Sequence, residues 1–143
     1  NLLIEVSAHI LDRFNSYAHR KVDPNRSEIS ELFRVYAKAV RKNPDFARAT
    51  VMLYSEALTN KVIADKLTRS IRERLDHVAK LLTSEIKRGN IPEFQDVDTE
   101  AAKILATLRG ALALTTVDAT FPLEKTLEAY CQKLRAPSAS GRK

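Results

Sequence analysis

Apolar residues recur along this chain at intervals of three and four and do not alternate with polar ones, which is the period of a helix and not of a strand. From Leu2 to about His19, the residues Leu3, Val6, Ile10, Phe14 and Tyr17 fall on one helical face, with Asn1 placed to cap it. The polar run HRKVDPNR interrupts the pattern, and Pro24-Asn25 marks a turn. Ser27 is the expected N-cap of a second helix reaching about Lys42, whose inner face is Ile29, Leu32, Phe33, Tyr36 and Val40. Asn43 then caps a third helix, with Pro44 at its first position and Asp45 in its first turn. Between Phe46 and Leu58 that helix is apolar nearly all round, as a helix in the middle of a bundle is.

The longest periodic run follows Asn60: Ile63, Leu67, Ile71, Leu75, Val78, Leu82 and Ile86. Gly89 closes it as a left-handed C-cap, with Lys87 and Arg88 at the negative end of the helix dipole. Asp98 is the expected cap of the next helix, and a last helix begins near Pro122 with Leu123, Leu127, Tyr130 and Leu134 inward. The prediction is an all-α bundle of about six helices, with residues 1–136 one domain and 137–143 a flexible tail.

One helix carries two low-polarity faces. Ala101, Ile104, Leu105, Leu108 and Leu112 form a large apolar stripe, and Ala102, Ala106, Gly110 and Ala113 form a row of small residues beside it. Small side chains a turn apart let a second backbone approach closely. The expectation is a homodimer in which this helix and the last one, through Leu127, Tyr130 and Leu134, build a four-helix interface about a twofold axis.

Composition narrows the function classes. The chain has 143 residues, a formal charge of +6 spread over every helix, three glycines and one cysteine. Dispersed charge reads as a solvated surface, and a single Cys131 fits a reducing, cytoplasmic setting. No apolar run approaches the roughly 20 residues that span a bilayer, so no membrane is expected. Glycine-rich phosphate loops, a GxSxG elbow and cysteine pairs at metal spacing are absent from the sequence. His9 is expected on the surface and His77 at the boundary of the long helix, with a lesser chance of facing a cavity; neither they nor His19 has a ligand partner one turn away. Cys131 is expected to be packing, and Glu124 and Glu128 charges at a helix start. No enzyme, metal or cofactor is expected.

The stretch KRGNIPEFQDVDTEAAKILATLRGAL, in this order of elements, resembles the ligand-binding and dimerisation half of TetR-type transcriptional regulators. In that family the long helix ends in Arg-Gly and an apolar residue, followed by an Asp, an acidic residue, paired alanines and a glycine. Arg88-Gly89, Ile91, Asp98, Glu100, Ala101-Ala102 and Gly110 match that run. RKNPDFARATVMLYSEA resembles the family's X-Pro helix start with an acidic-Ala pair, here Glu56-Ala57, and NLLIEV the helix that follows its DNA reader. KNPDFARATVMLY also resembles the matching segment of repressors of steroid catabolism. The family's helix-turn-helix is not among these residues, so operator DNA is expected to be met only through such a region.

The resemblance implies a repressor that releases DNA when a small hydrophobic effector (fatty-acyl, steroid-like or aromatic) enters a cavity in each subunit. Bulky inward residues are the candidate lining: Phe14, Tyr17, Phe33, Tyr36, Met52, Tyr54, Val78 and Leu108. The tyrosines weigh most, because a buried phenol needs a hydrogen-bond partner. The alternative is a helical interaction and dimerisation module with a solid core and no effector.

Overall fold

The computed structural model describes residues 2–93 and 96–135, except for the side chain of His19. The expected cap at Asn1, the surroundings of His19 and the tail 137–143 lie outside the described residues. Six helices follow in order: α1 Leu2–Lys21, α2 Ile29–Lys42, α3 Pro44–Ala57, α4 Lys61–Lys87, α5 Val97–Val117 and α6 Leu123–Arg135. Among the described residues there is no strand, and no helix is long and apolar enough to cross a membrane.

Most helix ends follow from local chemistry. Asn43 accepts from the Phe46 amide at 3.2 Å, with Pro44 as the first helical residue, and Asn60 accepts from Ile63 at 3.2 Å. Gly89, at φ 77°, ends α4. The Asn90 amide reaches the Glu85 carbonyl and the Gly89 amide the Ile86 carbonyl, the paired bonds of a Schellman turn. Ile91 is buried just beyond it.

Two expected caps are corrected. Ser27 does not cap α2. Its hydroxyl accepts the Asp23 amide at 2.9 Å and so closes the preceding loop. The first amide of α2, on Ile29, is instead met from across the fold by a Glu85 carboxyl oxygen at 2.7 Å. Arg88 completes the fastening by donating to the Asn25 and Ser27 carbonyls. For α5 the cap is Asp96 and not Asp98: Asp96 accepts from both the amide and the hydroxyl of Thr99, so the helix starts at Val97.

Packing is dominated by α1 on α3, α4 on α5 and α3, and α2 on α6. One core joins them, including Phe46, Leu53, Leu81, Leu82, Ile104, Leu112 and Leu127, each worth about 1.5–3 kcal/mol on burial. The face of α1 is rotated from the expected one. Ser7, Leu11 and Ala18 are its buried positions, with Phe14 half-buried, while Leu3, Val6 and Tyr17 are exposed. Small Ser7 and Ala18 let α1 lie close on its neighbour, where larger side chains would hold it away. The helix α3 is likewise less enclosed than its composition suggests, since Val51 and neighbouring Leu58 are exposed.

At the opposite end Arg41 of α2 holds the α5–α6 turn. It donates to both Glu124 carboxylate oxygens, at 2.9 and 3.1 Å, and to the Ala119 and Phe121 carbonyls.

Candidate functional site

Four of the eight expected lining residues meet around one small cavity of about 30 Å³: Phe14, Tyr36, Val78 and Leu108. They come from α1, α2, α4 and α5. Rings fix this region. Phe14 stacks on Phe46 at 3.9 Å, and Tyr36 meets both edge-on at 5.9 Å.

The remaining four go elsewhere. Tyr17 is 44% exposed on α1 with the Lys21 ammonium 5.9 Å from its ring centroid, and it does not line this cavity. Phe33 is turned to α6, edge-on to Tyr130 at 5.8 Å. Met52 is half-buried and does not line the cavity. Tyr54 stands outside it too, yet its hydroxyl is joined to the cavity wall through Arg109.

Arg109 is the functional residue that periodicity missed. Its Nη1 donates to the Tyr36 hydroxyl at 2.8 Å and its Nε to the Tyr54 hydroxyl at 3.0 Å. The side chain keeps partial exposure while its charged end lies deep among protein atoms. Among the described residues no carboxylate is paired with it. Burial pushes the Tyr36 phenol above its usual range, against the opposing pull of Arg109. The phenol is therefore neutral near pH 7 and cannot act as a counter-ion. A signal for this was present in the sequence: Leu105, Ala106, Leu112 and Ala113 occupy every i±3 and i±4 position, so Arg109 has no acid within one turn on its own helix.

Arg74 and His77 of α4 line the same cavity. His77 is buried rather than at the expected boundary. Burial lowers the Arg74 guanidinium below its usual value, Glu73 opposes this, and the charge of Arg109 adds to it. The cavity wall is thus apolar with a cationic side.

On α5 the small-residue row is open. Ala102, Ala106, Gly110 and Ala113 are exposed, and Leu114 and Val117 extend the row, Val117 being 90% exposed. The contribution expected from α6 is corrected. Leu127 is 2% and Leu134 6% exposed, since their line packs within the chain, chiefly on α2, and Tyr130 is half-buried. Arg135 ties the same seam by donating to Glu28 and Ser30. The outer side of α6 is polar, with Lys125, Glu128, Gln132 and Lys133 exposed.

His9 is exposed. Cys131 is buried, which raises its thiol above the ordinary value and keeps it protonated. Among the described residues no three His, Cys, Asp or Glu side chains gather as a metal site requires. No protein-family model, curated protein or solved structure matches the chain.

Proposed function

We propose that the chain is the effector-sensing and dimerisation domain of a TetR-type transcriptional regulator. The observation that carries this is α5. Its large residues are buried in its own bundle, and its other side is an exposed row of Ala102, Ala106, Gly110 and Ala113 continued by Leu114 and Val117. A low ridge of this kind is suited to a second copy of itself about a twofold axis. With the α6 stripe covered by α2, the contact centres on α5, and the polar side of α6 forms its rim.

The sensor step follows from the central cavity, where α1, α2, α4 and α5 converge. A ligand that binds one arrangement of α1 and α4 better than another shifts the balance between them, and only that difference in affinity does work. In a complete regulator, a DNA reader preceding α1 would feel the shift. Sedimentation at micromolar concentration should give a dimer, and Ala106→Arg on the exposed row should give a folded monomer. A monomeric unsubstituted chain overturns the reading.

The size of the cavity favours a second reading, a helical interaction module. About 30 Å³ holds roughly one water, against roughly 300–1,000 Å³ for drug-sized ligand pockets. This module would dimerise equally well, but no hydrophobic compound would raise its melting temperature. A sensor must expand on binding, and its melting temperature rises with ligand concentration.

A further inference from the structure

We infer that the central cavity takes a hydrophobic ligand by a carboxylate head, which pairs with Arg109 after passing between α1 and α4. This rests on the sensor reading and adds the ligand's charge and its route.

The first observation is the missing counter-ion. An isolated buried cation is costly unless it is paired or well hydrogen-bonded. Among the described residues Arg109 donates to two phenols, which use two of the five N–H donors of a guanidinium. The rest of its planar fork matches the two oxygens of a carboxylate. One negative charge would neutralise one cation, and Phe14, Val78 and Leu108 offer the apolar surroundings for a tail.

The second observation is a way in. Between α1 and α4 lies a groove of about 930 Å³, lined by five arginine and lysine side chains against three carboxylates. Asn15, Arg74 and His77 line both this groove and the inner cavity. They form the partition between them, and Asn15 holds it shut by donating to Ser70 of α4 at 3.2 Å. An anion drawn into the groove would meet Arg74 and His77 next, and then Arg109. The present cavity has room for the head alone, so a tail requires α1 to move from α4 and the Phe14 ring to leave Phe46.

The test uses decanoate and 1-decanol, which share a tail and differ in charge, in calorimetric titrations of the unsubstituted protein and Arg109→Gln. Decanoate should bind at least tenfold tighter than decanol. Arg109→Gln should remove that preference by weakening decanoate at least tenfold more than it weakens decanol. Equal binding of acid and alcohol, or a preference that survives in Arg109→Gln, overturns the inference and leaves the sensor reading standing. If neither compound binds, the inference falls, while the sensor reading stands or falls by the sedimentation result. Should Arg109→Gln fail to fold, nuclear Overhauser contacts in the unsubstituted protein decide. Protons next to the carboxylate should lie against the Tyr36 and Tyr54 rings, and finding the terminal methyl there overturns the inference.

Discussion

Glu85 holds the first turn of a helix 56 residues away. Its fully buried carboxyl spans the Ile29 amide and the Asn90 side chain, at 2.7 and 3.3 Å. Truncation leaves a buried donor unmet and a void beside it. Glu85→Ala should therefore lower unfolding stability in urea by about 2–4 kcal/mol. Glu85→Gln keeps an acceptor oxygen and should cost less than about 1.5 kcal/mol; equal losses in the two variants would show that only volume matters there. Neither this bond nor the Arg109 cluster could be read from helical period. Each joins residues distant in sequence, and a polar side chain in an apolar window shows no partner until the chain is folded. The cap at Asp96 is hidden for a simpler reason: Asp96 and Asp98 are both of a residue type that caps, and the hydroxyl of Thr99 decides between them.

At the scale of helices the sequence was more legible. The start at Pro44 and the stop at Gly89 follow from Asn43 and glycine chemistry, as expected, and Asn60 caps the start at Lys61 in the same way as Asn43. The orientation of α1 was not legible, because its apolar residues outnumber the places its neighbours can cover. The covered positions were chosen by the close fit of Ser7 and Ala18. The cover of the α6 stripe was not legible for the converse reason: periodicity marks a face for burial without naming what buries it. On α5, Gly110 has no atom within 4 Å of where a Cβ would stand. In an isolated subunit Gly110→Ala should thus gain up to about 1 kcal/mol of helix propensity and raise the melting temperature of dilute protein by about 3 °C. The same methyl would hold two α5 backbones apart, so the dimer dissociation constant should rise at least tenfold. An unchanged constant in sedimentation would mean that the backbones do not meet at Gly110.

For the whole molecule, acid should act first on the turns. The Asp96 carboxyl is held below its usual range by the Thr99 hydroxyl and amide, Asp118 by those of Thr120, and Glu124 chiefly by Arg41. Each group's folded value is below its unfolded one, so its contribution is complete above the ordinary carboxylate range near about 4 and is lost as pH falls through the folded value. The melting temperature should be level from about pH 7 to 5 and decline below about 4. Asp96→Asn and Asp118→Asn keep their acceptor oxygens and should flatten that decline; profiles that superimpose on the unsubstituted protein would show that these charges carry no stability.

The fastening of α4 by Glu85 and Arg88 has a mechanical consequence. One end of a rod about 40 Å long is clamped to the α1–α2 loop, and Arg74 stands about half-way along it. With that clamp as fulcrum, a sideways push at Arg74 is delivered at Lys61 with a gain of about two. The molecule thus has the proportions of a lever, loaded at its middle and read at the far end, where Ile63 and Leu67 carry the movement into the core.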